Sequence, residues 1–244
     1  MARLLVQFYC SAAVAVFSAL SVGAALADGN PSFLPDTGNT RSFNASEEYQ
    51  SPGGFMPPGH SMTVKGVVMP HSQMGTLTIN RPAVDSVHIT ASEGLDAFDQ
   101  TLHVDERGVV DQPKSPYPFA DLLNSVTGMM ASAPAGLQKD TTWDVTVSTP
   151  SWMSAMGMSK EMSSIKTTAK VTAVAGNTML VHADGKNEKD VSSVGGSQKA
   201  VIAVTVDCAF VSSQMQKCSR KTSMEVSLSS MDIIISDTVE LNAK

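Results

Sequence analysis

From Ser61 onward, apolar residues in this chain recur at every second position in short runs separated by turn-forming residues. Val64, Gly66 and Val68 share one parity, and Leu77 and Ile79 repeat it before Asn80-Arg81-Pro82. Val87, Ile89 and Ala91 follow with Ser86, His88 and Thr90 opposite, then Leu102 and Val104 before Glu106-Arg107-Gly108. Period-two alternation puts one face of each run against a core and the other in water. The spacings are too short for crossover helices, so the runs read as antiparallel hairpins. The second half repeats the pattern with Trp143, Val145 and Val147. Val171–Val174 and Met179–His182 flank Ala175-Gly176-Asn177-Thr178, a hairpin turn by composition. Asp184 to Lys199 reads as a polar loop. A long strand carrying Ile202, Val204, Val206, Cys208 and Phe210 follows, then one carrying Met224, Val226 and Leu228. Ile233, Ile235, Val239 and Leu241 complete the pattern.

One segment breaks the alternation. Phe119, Leu122, Leu123, Val126, Met129 and Met130 recur at helical spacing after Ser115-Pro116, a capping residue followed by a first-turn proline, and Pro134 closes the run. The spacing predicts a helix near 116–131. Strands, helix, then strands again define an α+β, mainly β fold. The expected form is a curved antiparallel sheet (a half-barrel or open barrel) packed against one or two short helices, in a single domain spanning 61–244.

Residues 1–27 read as a cleaved signal peptide: Arg3, an apolar run from Leu4 to Leu26, and a small-x-small site at Ala25-Leu26-Ala27. No later run has membrane-spanning length. The expectation is an exported protein, periplasmic or secreted, without a transmembrane segment after cleavage. Residues 28–60 are rich in Pro, Gly, Ser and Asn and read as a disordered or loosely packed arm, with Phe33, Phe43 and Phe55 as isolated apolar residues. The chain has 17 basic and 23 acidic residues, and no basic cluster that would track phosphates, which argues against nucleic acid.

Of three cysteines, Cys10 falls in the leader, leaving Cys208 and Cys218. An even pair in an oxidising compartment implies a disulfide. Cys208 shares parity with Val204 and Val206, and Cys218 with Met224 and Val226, so a turn near Ser213 would bring the two thiols together on the buried face. The redox alternative needs a reactive thiolate, for which Lys217 and Arg220 would supply the charge.

Thr141-Thr142-Trp143-Asp144-Val145-Thr146-Val147, following Pro134-Ala135-Gly136, resembles a segment of uncharacterised exported bacterial proteins. In these a Gly-Asp-x-Trp turn precedes a strand, and some have lipoprotein-carrier-like antiparallel half-barrels. The resemblance covers Leu137 to Leu180 and departs at Lys139-Asp140-Thr141, where the turn lacks its glycine. It implies a concave sheet with an apolar groove and no catalytic residues.

Chemical signatures are sparse. Met153, Met156, Met158 and Met162 fall within ten residues, and thioethers suit Cu(I). His60, Met62, Met69, His71 and Met74 form a looser group of the same ligand types. Methionine is also an adaptable core filler, and the spacing of Met158 and Met162 is that of one helix face. Ser163-x-x-Lys166 has the spacing of an activated serine but lacks the motifs that accompany it in penicillin-recognising enzymes. His88, His103 and His182 stand singly in strands, with a cross-strand His88–His103 pair as one option, and Asp96, Asp99 and Asp105-Glu106 read as solvated turn residues. The leading expectation is an exported, non-enzymatic binding or interaction protein holding an apolar small molecule or an envelope partner, without a cofactor. The alternatives are a periplasmic copper-handling protein using the four methionines, and a hydrolase whose site spacing does not reveal.

Overall fold

A computed structural model describes residues 31–51, 63–64, 67–68, 70–112, 117–150, 152–155, 163–193, 196–227 and 232–244. In chain order the elements are β1 (Thr40–Gln50), β2 (Thr63–Val64), β3 (Val67–Val68), β4 (Gln73–Ala83), β5 (Ser86–Ser92), β6 (Asp99–His103) and α1 (Pro118–Ala131). Then follow β7 (Thr142–Ser148), α2 (Trp152–Ala155), β8 (Ser164–Ala175), β9 (Thr178–Ser193), β10 (Gly196–Val211), β11 (Gln214–Ser227) and β12 (Asp232–Ala243).

Among the described residues, ten strands form one antiparallel sheet in the order β6-β5-β4-β1-β12-β11-β10-β9-β8-β7, and β2 pairs with β3 separately. The alternation predicts the buried face well: Leu77, Ile79, Val87, Ile89, Val145, Val147, Ile202, Val204, Val206, Val239 and Leu241 are all buried. Cys208 faces Cys218 across the β10–β11 ladder and the two form a disulfide, Cα–Cα 4.1 Å. The hairpin turns at Ser212-Ser213, both at positive φ (50° and 64°), as a two-residue turn that follows strand twist requires. The Ala175–Thr178 turn also forms, with Gly176 at φ 59°.

Three expectations are corrected. The sheet is neither a half-barrel nor an open barrel: it is an open ladder whose terminal strands β6 and β7 do not pair. The connection between them explains this. The chain leaves β6, runs back beside it through the Val104–Val110 bridge, and becomes α1, which packs on β7 and β12 with side chains rather than a free backbone edge. Second, the described part of the 28–60 segment is not a loose arm. β1 lies between β4 and β12, and Phe33 and Phe43 are buried with rings stacked 6.2 Å apart. The strand escapes a hydropathy reading because its inward face is Phe43, Ala45 and Glu47, with a carboxyl where an aliphatic residue would have announced a strand. Third, Asp184–Lys199 is not a loop: described residues of the segment belong to β9 and β10, which pair from Thr178↔Val211 to Ser193↔Gly196. Backbone hydrogen bonds hold this ladder whatever the side-chain pattern.

α1 begins at Pro118 after Tyr117; Ser115 and Pro116 lie outside the described residues. Phe119, Leu122, Leu123, Val126 and Met129 are fully buried. At its C-terminus, Met129 O would be an orphan carbonyl, and the Trp143 indole N–H donates to it at 2.9 Å. This bond ties the helix end to β7. No described helix is long and apolar enough to cross a membrane.

Candidate functional site

A groove of about 620 Å³ opens between α1 and the β7–β8 pair. Asn124 and Gly128 of α1 and Ser132 at its C-cap, each four residues apart, form one wall. Arg107 and Val109 close one side, and Asp144–Thr146 of β7 with Lys166–Thr168 of β8 form the other. β7 is a terminal strand of the sheet, so among the described residues the backbone groups on its outer side have no strand partner.

The walls are held by short polar contacts. The Asp105 carboxylate accepts hydrogen bonds from Val109 N (2.8 Å) and Arg107 N (2.9 Å) and pairs with the Arg107 guanidinium. These contacts, the Val109 amide foremost, hold its carboxyl below the usual range. Asn124 Nδ2 donates to Val110 O at 2.6 Å, and Val110 N donates to Thr127 Oγ1 at 3.1 Å, which fixes the strand-like segment to α1. On the opposite wall Thr167 Oγ1 donates to Val145 O and Thr168 Oγ1 to Asp144 Oδ1.

Gly128 sets the shape of the groove. It lies inside a packed helix at an ordinary φ, and a Cβ there would meet only Val109 Cγ1 at 4.0 Å. Glycine costs an interior helix position roughly 1 kcal/mol relative to alanine, and here neither backbone conformation nor crowding demands it. The lining is mixed, with polar and apolar surface in similar amounts. Val109 and Val145 are its aliphatic residues, Arg107 and Lys166 its cations, Asp144 its carboxylate, and neither His nor Cys contributes. Such a surface offers hydrogen bonds and charge alongside apolar contact.

The residues singled out from sequence are described only in part. Met153 is buried in α2, and Met156, Met158 and Met162 lie outside the described residues, as do His60, Met62 and Met69. His71 is largely buried beside Asp96, 3.5 Å away, while Met74 is exposed, so those two do not converge. Among the described residues no three His, Cys, Asp or Glu side chains gather as a metal site. Ser163 precedes β8 and Lys166 lies within it, so their spacing is that of a strand rather than one helix face. His88 faces Thr101 and bonds it at 3.1 Å, while His103 bonds Asp85 O, so the two histidines do not pair. His182 sits between Asp207 (2.8 Å) and Asp184 (3.3 Å) on the outer face.

Sequence reasoning missed a second polar centre, in the interior. Glu47, Asp237, Arg220 and Thr222 are all buried on the inner face of β1, β12 and β11, with Asp121 of α1 also buried nearby. Burial, and the neighbouring Asp237, push the Glu47 carboxyl up to about 9. Burial also raises Asp237, against the opposing pull of Arg220. The register signal was present, since Glu47 and Asp237 occupy core parity in their strands, but a charged residue at core parity reads as a break in the pattern.

No protein-family model matches this chain, and no curated protein matches it.

Proposed function

We propose that this is an exported, non-enzymatic binding protein whose groove between α1 and β7 takes an extended segment of an envelope partner protein. Gly128 carries the reading: a costly helical glycine keeps open a channel beside a strand with a free edge. An extended polypeptide satisfies both walls at once, since its backbone extends the β7 ladder and its side chains meet Asn124, Ser132 and Lys166. The lining favours a polypeptide over an acyl chain, which would cover the Lys166 cation and the Asp144 carboxylate without offering either a hydrogen bond. Export rests on the leader sequence, and a mature chain beginning at Asp28 in the envelope fraction would support it.

The test is selection of binders from a library of ten-residue peptides displayed without bias, followed by hydrogen exchange of the complex. Protection confined to Thr142–Ser148, together with weakened binding in Gly128→Leu, supports the reading. Binders that protect other strands, or that bind Gly128→Leu as tightly, overturn it.

A further inference from the structure

The interior polar centre is assembled by register. Asp237 of β12 lies opposite Tyr49 of β1 and Thr222 of β11, while Val239 lies opposite Glu47 and Arg220. Glu47 and Arg220 therefore flank Asp237 diagonally from its two neighbouring strands, all on the buried face. Glu47 Oε2 accepts from Gln73 Nε2, and Gln73 Oε1 accepts from Asp96 N at 2.7 Å. Glu47 Oε1, both Asp237 oxygens, all three Arg220 nitrogens, Thr222 Oγ1 and Trp152 Nε1 are buried without a well-formed hydrogen bond.

The charges facing this centre come from every element around it: Asp237 from β12, Arg220 from β11, Asp121 from α1, and Asp96, with His71 beside it, from outside the sheet. The Trp152 indole of α2 faces Asp237, and Tyr49 and Tyr117 add phenols whose ionisation is opposed first by burial and then by the surrounding acids. Were every buried acid ionised, Glu47, Asp237 and Asp121 would set three negative charges against Arg220, the one buried guanidinium among the described residues. All four groups are buried, and burial disfavours that excess of charge. Two carboxyls so placed titrate as a pair, one keeping its proton while the other ionises.

We propose that Glu47 and Asp237 form a buried proton-binding site, in which one shared proton holds the Trp152 indole packed on the sheet and its release loosens that packing. The proton resides on Glu47, leaving Asp237 as the carboxylate that faces both Arg220 and the indole N–H. Below the pH at which the pair ionises, the pair carries a single negative charge, on the carboxylate that faces Arg220. Above it, a second carboxylate appears beside Asp237. The ladders of β1, β11 and β12 resist this repulsion, and Trp152, held by no ladder, yields.

The protein contains two tryptophans, so Trp143→Phe leaves Trp152 as the single reporter. In that background, acrylamide quenching of Trp152 is measured from pH 5 to pH 10. The expected result is a several-fold rise in quenching across the alkaline limb, absent in the additional Glu47→Gln variant, which keeps Trp152 protected throughout. Flat quenching in the parent, or an unchanged transition in Glu47→Gln, overturns the proposal. An independent measurement needs no variant: infrared spectroscopy of the wild-type protein at pH 7 should show the C=O stretch of a buried neutral carboxyl. Its absence overturns the proposal as well.

Discussion

Two glycines in this fold should respond to the same substitution with opposite signs. At Gly185, where β8 stops pairing with β9 beyond Thr168↔Asp184, an added Cβ would overlap the Lys166 carbonyl oxygen and lie 2.6 Å from Thr167 Cγ2 and 2.9 Å from Thr167 Cα. Carbon atoms pack at about 3.5–4.0 Å, so Gly185→Ala forces β8 outward by roughly 1 Å. The obstacles include backbone and cannot rotate away. Overpacking of this kind costs about 1–3 kcal/mol, and loosening one or two neighbouring ladder bonds adds about 1 kcal/mol each. Gly185→Ala should therefore destabilise by about 2–5 kcal/mol. At Gly128 the added methyl meets Val109 Cγ1 at ordinary contact distance, and Gly128→Ala should stabilise by about 0.5–1 kcal/mol through helix propensity alone. Neither glycine has a positive φ, so both effects are of space and helix entropy and not of backbone strain. Urea denaturation read by far-UV circular dichroism measures both. If Gly128→Ala lowers the midpoint, the open space beside α1 is not there. If Gly185→Ala is neutral, β8 does not press on β9 as described.

Three further outcomes follow from the same geometry. Replacing Cys208 and Cys218 together by alanine frees a loop of ten-residue separation in the denatured chain and should cost about 3 kcal/mol in the chain-entropy picture, read as a lower urea midpoint that reductant no longer changes. Trp143→Phe orphans Met129 O at the end of α1 and should cost about 1–3 kcal/mol, with the fastest added amide exchange in the last turn of the helix. Because the Glu47 carboxyl is raised from 4.5 to about 9, the folded state binds its proton more tightly than the unfolded chain, so this group's stabilising contribution is full below pH 4.5 and lost as pH rises toward 9. Glu47→Gln removes that loss, and its stability relative to wild type should rise by about 3 kcal/mol between pH 4.5 and pH 7, at about 1.4 kcal/mol per unit, whereas a pH-independent difference refutes it.

The sheet was legible because its core strands obey a period of two with aliphatic residues, and the disulfide because Cys208 and Cys218 share the parity of their neighbours. α1 was legible from a helical stripe dense enough to outvote Gly128. What escaped was polar where a core is expected to be apolar. Glu47 hid β1, and the charged run Lys186–Asp190 hid the far end of the β9–β10 ladder, which backbone hydrogen bonds hold whatever the side chains are. The closed-up curvature expected from the Trp143 segment failed for another reason: curvature depends on what the terminal strands meet, and no local pattern shows that β6 and β7 meet α1 and residues 109–111 instead of each other. The groove was illegible because its residues come from four separate stretches, each unremarkable alone.

The proton site and the completion of the fold are linked by topology. β1 and β12 are the first and last strands of the sheet in sequence, yet they are hydrogen-bonded neighbours at its middle. Every other neighbouring pair in the sheet, apart from β1 with β4, joins consecutive strands or short-range hairpins, so the β1–β12 pairing carries the largest loop-closure cost and the least local help. Glu47 and Asp237 lie on the two sides of that junction. With the strands apart, each is an ordinary solvated carboxyl that ionises near its usual value. Pairing the strands buries both and forces one to take a proton. Proton uptake is therefore a consequence of the β1–β12 junction itself, and the pH dependence assigned to Glu47 reports whether the two halves of the sheet are joined. A variant that unpairs β12 from β1 while leaving the β10–β11 hairpin intact should return Glu47 to an ordinary acid.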